Sequence, residues 1–267
     1  MDKISLYTTC FNAIINEFDL KNAIDNYLTV ADEVVIGTIG EPLMKDNTLS
    51  LLTELSSNNE NINLVISDIN PYEDPLWDGK LKDAALKGCS HDYCIQCDLD
   101  ERVWGAKNKW HDDMVDYIHT YNVKSVMLPV INLYKHVDYY KDYGFKWYFH
   151  VKDGCNRGPV NFAKRDDKSI DVTKSDGTEL ITNDGNIVSY ISLSTYLQND
   201  YRLLLYFKGN NPGIIHYGYL NLARKVALNK SFWKNAWSRL NGSIVNNVAT
   251  DINDMENYAP KWHGINI

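Results

Sequence analysis

The feature that most constrains the fold is a regular alternation of apolar and amphipathic segments over residues 1–104. The apolar segments are short and rich in Val, Ile and Leu, which is typical of buried strands; they occupy residues 3–12, 32–40, 61–69 and 92–97. The segments between them carry apolar residues at helical spacing; they occupy residues 17–31, 46–57 and 78–90. Asp46 or Asn47 is suited to cap the second of these helices.

This strand–helix repetition predicts an α/β fold with a mainly parallel central sheet and helices on both faces. Ligands of such sheets bind at the carboxyl ends of the strands. Four polar or glycine-containing segments are expected to meet at that edge: Thr8–Asn12, Gly37–Gly40, Asp68 and Asp98–Glu101.

The pattern changes after Trp104. The sequence predicts an amphipathic helix over residues 109–122, strands over 124–136 and 145–153 with the second antiparallel, a strand over 213–220 and a helix over 221–240. Residues 157–187 are polar and rich in Asp and Gly, which indicates a long loop or irregular hairpin. One domain is therefore expected, with an α/β half (1–104), a small antiparallel half (105–219) and a helical tail (220–267).

Charge and leader patterns limit the classes of partner. A net charge of -8 argues against general binding to nucleic acid or to anionic membranes, but a small phosphorylated ligand needs only a local positive site. The 18 Tyr and 7 Trp are suited to stacking on bases or sugars, although most are expected in the core. Because neither a secretory leader nor a membrane-spanning run is present in the sequence, we expect a soluble cytoplasmic protein, for which any association with a membrane requires a partner.

The cysteines contain an apparent cluster motif. Cys89, Cys94 and Cys97 follow the C-x4-C-x2-C spacing of plant-type iron–sulfur proteins. The fourth candidate ligand, Cys155, is distant, and alternation along the strand places Cys94 and Cys97 on opposite faces. We therefore predict buried free thiols, as an odd total of 5 cysteines also suggests.

Carboxylates crowd together where the fourth apolar segment ends. Asp98, Asp100 and Glu101 follow the buried residues of "YCIQC" directly, and their charges repel one another unless a positive group lies between them. Either Lys and Arg side chains or a divalent cation such as Mn²⁺ or Mg²⁺ can supply that charge. A D-x-D sequence alone is weak evidence, but its position after a fourth strand favours the cation.

Three stretches resemble the GT-A fold of nucleotide-sugar glycosyltransferases, in particular the large family 2 group. The opening strand "ISLYTTCFN", the segment "KDAALKGCSHDYCIQCDLDE" and the later "HYGY" are similar to motifs of that group. The resemblance covers roughly the first hundred residues well and the remainder only through the last motif.

The resemblance implies that residues 1–104 are the nucleotide-sugar-binding half and residues 105–219 the acceptor-side half, with a donor site and a cation site. It implies that Thr9 and Phe11 contact the base or ribose and that Asn12 shapes the strand exit. It also implies that Lys82 either stands near the phosphates of the donor or orders the acidic loop. The full set of donor-binding candidates is Thr9, Phe11, Asn12, Thr38, Asp68, Lys82 and Asp98. It further implies that Mn²⁺ or Mg²⁺ is held by Asp100 as principal ligand, by His216, and by Asp98 directly or through water.

The sequence also departs from the group. Gly37 and Thr38 stand where many relatives carry a base-binding Asp, and Asp83 stands where Asn is usual. Uracil therefore cannot be assumed as the donor base.

The resulting hypothesis is a metal-dependent glycosyltransferase that moves a sugar from a nucleotide-diphosphate donor to a hydroxyl of a glycan or other glycoconjugate. An inverting enzyme needs a carboxylate base; the candidates lie in the long polar segment, with Asp176 and Glu179 favoured over Asp166 and Asp184. A retaining enzyme needs no such base. The main alternative is a non-catalytic carbohydrate-binding or scaffold protein. Two other rivals fit less well. "DLDER" carries Arg102 where D-x-D-x-T phosphatases need Thr or Val, and the N-terminal segment lacks the Gly-rich loop with a basic residue that nucleotidyltransferases need.

Overall fold

The fold was analysed in a computed structural model that describes residues 2–74, 77–152, 179–181, 187–195, 197, 199–228 and 260–264. It is a mixed α/β arrangement in which one large sheet is covered by helices, so the predicted fold class is confirmed. The strands of the amino-terminal half are β1 (Ile4–Cys10), β2 (Glu33–Ile39), β3 (Ile62–Ser67) and β4 (Tyr93–Gln96). The helices of that half are α1 (Leu20–Tyr27), α2 (Thr48–Asn58) and α3 (Trp77–Gly88).

The amino-terminal strands pair in the order β3-β2-β1-β4, and all three pairings are parallel. Helix α1 begins where the Asp19 side chain accepts a hydrogen bond from the backbone N–H of Asn22. At α2 the Asp46 carboxylate accepts from the N–H of Thr48 at 2.9 Å, whereas Asn47 makes no side-chain capping bond. Polar caps and apolar spacing thus produce the helices that the sequence predicts.

The second half continues the same sheet. Its strands are β5 (Glu101–Trp104), β6 (Ser125–Tyr134), β7 (His136–Val151), β8 (Glu179–Ile181), β9 (Ile187–Ser192), β10 (Gly213–Tyr219) and β11 (Lys261–Trp262). Its helices are α4 (Lys107–His111), α5 (Asp113–Tyr121), α6 (Asp200–Lys208) and α7 (Leu222–Leu228). The sheet order runs on as β4-β7-β6-β10-β5, where β7 is antiparallel to β4 and β6, and β10 is parallel to β6 but antiparallel to β5.

Both faces of the sheet are covered. On one face Leu6 and Ile36 pack with the buried side of α1 and with the Phe207 ring of α6. On the other face Tyr7 and Val35 pack against α3 in a separate cluster. Alternation along the strands sends neighbouring residues to opposite faces, which is why adjacent residues belong to different clusters. In the part of the chain described, no helix has the length and apolar character needed to cross a bilayer.

Helix α3 lies unusually close to β2. A Cβ atom at Gly37 would lie 2.8 Å from the carbonyl oxygen of Leu81 and 3.2 Å from the Cβ of Ala85. At the far end of α3, a Cβ at Gly88 would lie 2.7 Å from Val65 of β3 and 3.1 Å from Val35 of β2. Two glycines, one on the strand and one on the helix, therefore permit this contact.

The described cysteines are buried and free. Cys94 belongs to the α3 side of the sheet and Cys97 to the other side, as the alternation predicts. Burial raises the pKa of the Cys10 thiol well above its ordinary value. These thiols are structural, and Cys155 lies outside the described residues.

Candidate functional site

A tight turn links β4 to β5 and displays the two aspartates. The backbone N–H of Glu101 donates to the carbonyl of Asp98 at 2.8 Å, and the buried Glu101 carboxylate accepts from the N–H of Asp98 at 3.0 Å. The Tyr27 hydroxyl reaches the same turn and donates to the Asp98 carbonyl at 2.7 Å. Because β5 then pairs with β10, the N–H of Tyr217 donates to the carbonyl of Asp100 at 2.7 Å. This pairing brings the turn to the later strand.

Asp100 and His216 meet there. Oδ2 of Asp100 lies 3.3 Å from Nε2 of His216. The other imidazole nitrogen, Nδ1, lies 2.6 Å from the side-chain oxygen Oδ1 of Asn132 on β6. The side chains of His216 and Asp100 are only 11% and 18% exposed. Asp100, His216 and Asn132 therefore form a continuous series of side-chain contacts across the sheet.

The hydrogen bond to Asn132 decides what the imidazole offers to Asp100. An amide oxygen can only accept, so Nδ1 carries the proton, and in the neutral ring Nε2 presents a lone pair. A lone pair that faces a carboxylate oxygen is repelled unless a proton or a cation lies between them. Metal-binding histidines usually donate their outer N–H to an oxygen acceptor, and the Asn132 amide oxygen supplies one here.

Because Gly218 has no side chain, the side chains of His216 and Asp100 have room to meet. A Cβ atom at position 218 would lie 2.4 Å from Nε2 of His216 and 2.8 Å from Oδ2 of Asp100. The pairing of β10 with β6 is irregular between His216 and Tyr219, so the backbone bends at this point. The glycine of "HYGY" is therefore required by the close approach of two functional side chains.

Asp98 faces a different partner. Nζ of Lys82 lies 2.9 Å from Oδ1 of Asp98 and 3.2 Å from Oδ2 of Asp78, and Lys82 is 6% exposed. The Gln96 amide also donates to Oδ1 of Asp98 at 3.0 Å. Burial would lower the pKa of Lys82, but the charges of Asp78 and Asp98 outweigh it and hold the pKa above its ordinary value. Lys82 is therefore a charged ammonium at the edge of the sheet.

Thr9 joins the same group, because its hydroxyl donates to Oδ1 of Asp78 at 3.2 Å. The side chain of Asp98 remains 40% exposed, so a ligand at this edge of the sheet can reach it. Lys82 is shared by two carboxylates, so this group keeps a net negative charge, and the exposed part of Asp98 suits the hydroxyl donors of a polar ligand or a metal-bound water.

Phe11 lies in an aromatic cluster at the end of β1. Its ring centroid is 5.6 Å from that of Trp77 and 5.9 Å from that of Tyr72. Asn12 follows with φ of 50°, and its side-chain oxygen accepts from the N–H of Lys45 at 2.9 Å. Asn tolerates this left-handed conformation better than most residues, and here it turns the chain out of the strand.

Thr38 and Asp68 differ in accessibility. The Thr38 hydroxyl is fully buried and donates to the carbonyl of Cys10 at 3.0 Å, within the sheet. Asp68 follows β3 and is exposed at the same edge. Of these two donor-binding candidates, Asp68 is the one that a ligand can reach without rearrangement.

Two of the three predicted cation ligands, Asp100 and His216, lie next to each other, and the cation site itself stays a prediction. Within the described ranges, no three His, Cys, Asp or Glu side chains converge well enough to hold a metal ion, and Asp98 is engaged by Lys82. Asp100 and His216 do fit such an ion, because one oxygen and one correctly protonated imidazole nitrogen face each other. Carboxylate and imidazole are ordinary ligands of Mn²⁺, while Mg²⁺ prefers all-oxygen ligation; both ions retain water or substrate oxygens as further ligands.

The base candidates lie largely beyond this region. Asp166, Asp176 and Asp184 fall outside the described residues, and Glu179 is placed only as a backbone position in β8, opposite Ser189 of β9. Their proposed roles stay predictions.

Several residues of the site were not identified from the sequence. Asn132 interrupts the apolar run "LPVINLY", and a lone amide within a buried strand was a usable signal. Lys225 on α7 lies 3.6 Å from Oδ2 of Asp100, yet a lysine on an amphipathic helix gives no such indication. Asp78 and Tyr27 were likewise unmarked.

Comparison with known proteins gives structural similarities only. No protein-family model matches the chain, and no curated protein shows a significant sequence match. One similar solved structure is S. aureus TarS 1-349 in complex with UDP-GlcNAc, at 18% identity and a TM-score of 0.33, covering 49% of this chain and 34% of that one.

Two other similar solved structures carry names that refer to sugars. The mannosyltransferase PcManGT from Pyrobaculum calidifontis, in complex with GDP-Man and Mn²⁺, is 15% identical with a TM-score of 0.36, and the match covers 48% of this chain and 35% of that one. Glucosyl-3-phosphoglycerate synthase from Mycobacterium tuberculosis, in complex with Mn²⁺, UDP and glucosyl-3-phosphoglycerate, is 16% identical with a TM-score of 0.30, covering 50% and 44%. The chain thus spans less than half of the length of these proteins.

Proposed function

We propose that this protein is a metal-dependent glycosyltransferase, which moves a sugar from a nucleotide-diphosphate donor to a hydroxyl of a saccharide or glycoconjugate acceptor. The observation that supports this most directly is the contact between Asp100 and His216, with Oδ2 and Nε2 3.3 Å apart. The contact joins the D-x-D stretch to the "HYGY" stretch, which are the two motifs for which the resemblance implies a shared cation.

The cation site consists of Asp100 and His216, supported by Asn132. When bound there, Mn²⁺ or Mg²⁺ supplies positive charge that offsets the charge developing on the departing diphosphate. Asn132 keeps the proton of His216 on Nδ1, so Nε2 stays available as a ligand. Gly218 keeps the space beside both ligands open.

The donor side consists of the carboxyl edge of the parallel strands. Lys82 holds Asp98 in position through a 2.9 Å contact, and the exposed part of Asp98 receives a donor hydroxyl or a metal-bound water. Phe11 and Thr9 flank the place of the base and ribose, Asn12 sets the exit of β1, and Asp68 is reachable from the same edge. Thr38 supports that edge from inside the sheet.

Acceptor activation is assigned to the polar segment that contains Asp176 and Glu179. In an inverting reaction one of these carboxylates takes the proton of the acceptor hydroxyl. A retaining reaction has no need of that step. The anomeric configuration of the product therefore shows whether a carboxylate base is required.

The test is a thermal-shift panel with UDP, GDP, CDP, ADP and dTDP, each with and without Mn²⁺. We expect one nucleotide to raise the melting temperature, and to do so more strongly with Mn²⁺, since a ligand that binds the folded state stabilises it by mass action. Asp100→Asn is expected to remove the Mn²⁺-dependent part of that shift and to abolish sugar transfer, while the far-ultraviolet circular dichroism stays unchanged.

Two outcomes contradict the proposal. Stabilisation by free glycans, with no response to any nucleotide, indicates a carbohydrate-binding protein instead. Normal Mn²⁺-dependent transfer by Asp100→Asn refutes the assignment of the cation site.

A further inference from the structure

Lys225 places a positive charge at the cation site. Its Nζ lies 3.6 Å from Oδ2 of Asp100, and this is the same oxygen that lies 3.3 Å from Nε2 of His216. The Lys225 side chain contacts Asp100 and is 25% exposed, so part of it remains accessible to a ligand. One carboxylate oxygen is thus shared by an imidazole and an ammonium.

The backbone that carries Lys225 is well anchored. Helix α7 begins at Asn221, whose side-chain oxygen accepts from the N–H of Arg224 at 3.0 Å. Leu222 and Val226 pack against Tyr134 of β6 in a small buried cluster. The Cα of Lys225 is therefore fixed next to the site, whereas its four-carbon side chain has rotatable bonds that let the ammonium move.

An ammonium and a divalent cation compete for Asp100. Both are attracted to the same oxygen, and they repel each other at the distances that this oxygen imposes. A bound diphosphate removes the conflict, because its oxygens offer a second negative partner for the ammonium.

We propose that Lys225 is a tethered counter-ion, which neutralises Asp100 when the donor is absent and moves to the donor diphosphate when a divalent cation occupies the site. This inference rests on the proposed function and adds a residue to it. Lys225 opposes cation binding in the nucleotide-free protein and favours nucleotide binding in the cation-loaded protein. It thereby couples the two ligands, so that the cation is held firmly only together with a diphosphate.

The coupling is tested with Lys225→Met, which keeps an apolar side chain of similar length, and Lys225→Arg, which keeps the charge. Lys107→Met is the matched control, because Lys107 also forms a partly exposed ion pair, at 2.9 Å from Oδ1 of Asp32. Free Mn²⁺ is measured by electron paramagnetic resonance during titration, first without nucleotide. Titrations of the UDP, GDP, CDP, ADP and dTDP panel then follow by calorimetry at saturating Mn²⁺.

The two affinities are expected to change in opposite directions. Lys225→Met should bind Mn²⁺ about tenfold more tightly without nucleotide and should bind the preferred nucleoside diphosphate about tenfold more weakly with Mn²⁺. Lys225→Arg and Lys107→Met should both stay close to wild type in Mn²⁺ affinity. A residue that only supported the fold would not tighten the binding of Mn²⁺ when removed.

Unchanged or weaker Mn²⁺ binding by Lys225→Met in the absence of nucleotide overturns the inference. If wild type binds Mn²⁺ and a nucleoside diphosphate while Lys225→Met matches Lys107→Met, the inference alone is wrong. If wild type binds neither Mn²⁺ nor any nucleotide of the panel, the proposed function fails with it.

Discussion

Oδ1 of Asn132 lies 2.6 Å from Nδ1 of His216, and this contact sets which nitrogen of the imidazole faces Asp100. The amide belongs to β6 and the imidazole to β10, two parallel neighbours in which His216 stands opposite Asn132. The tautomer of the His216 imidazole therefore depends on the register between β6 and β10.

Replacing Asn132 by Leu should weaken Mn²⁺ binding by about tenfold to hundredfold, because the imidazole loses the acceptor that fixes its orientation. Asn132→Asp keeps an oxygen in place and should retain most of the affinity. Calorimetric titration with Mn²⁺ measures both. Equal losses in the two variants would mean that the acceptor oxygen is not what matters.

Adding a methyl group at position 218 should disrupt the cation site. Gly218→Ala places a Cβ 2.4 Å from Nε2 of His216, so the imidazole or Asp100 must shift, and Mn²⁺ affinity should fall at least about tenfold. Gly144→Ala is the matched control, since its nearest neighbour is Val130 at an ordinary 3.7 Å. Full Mn²⁺ affinity in Gly218→Ala would contradict the geometry described above.

Removing the Lys82 ammonium should destabilise the protein. Lys82→Met leaves Asp78 and Asp98 facing each other without a cation, and we expect a loss of about 3 kcal/mol in the free energy of unfolding. Lys87→Met is the control, because Lys87 pairs with Asp83 on the exposed side of the same helix. Urea denaturation compares them, and similar losses in the two variants would refute a special role for Lys82.

Acid should destabilise the fold by protonating Glu33, a hydrogen-bonded carboxylate at the amino end of β2. Burial raises the pKa of Glu33, but hydrogen bonds from Ser5 and from the N–H of Ser90 outweigh it, so its folded pKa lies below the ordinary value. A group with a depressed folded pKa stabilises the protein above its unfolded pKa of about 4.3 and loses that contribution as the pH falls through the folded value.

The free energy of unfolding should therefore decline as pH falls below about 4.5. Glu33→Gln should flatten this decline, while Glu54→Gln on the exposed side of α2 should not. Urea denaturation between neutral and acid pH provides the measurement. An identical pH profile for Glu33→Gln and wild type would show that Glu33 does not contribute.

The strands of the amino-terminal half were predictable because each is a continuous apolar run bounded by capped, amphipathic helices. Strand β5 was not, since "ERVW" is short and begins with two charged residues; it forms because β10 is available to pair with it. Helix α6 was also missed, although Asn199 caps it through the N–H of Arg202.

The site was predictable to the extent that motifs mark it. Asp100 and His216 are 116 residues apart, so no spacing rule links them, and the expectation came from resemblance to a family. The partners that hold them, Asn132 and Lys225, depend on strand register and on the direction of one flexible side chain. Neither property is visible in a local pattern.

Gly37 has an effect that reaches beyond its own strand. Any larger residue there pushes α3 outward by roughly the depth of a methyl group, and Lys82, which follows Leu81 on that helix, is carried along. The ammonium would then be drawn away from Asp98, whereas Asp78, which lies on the same helix, would move with it. The single hydrogen atom that Gly37 carries in place of a side chain thus determines how closely the Lys82 ammonium can approach Asp98.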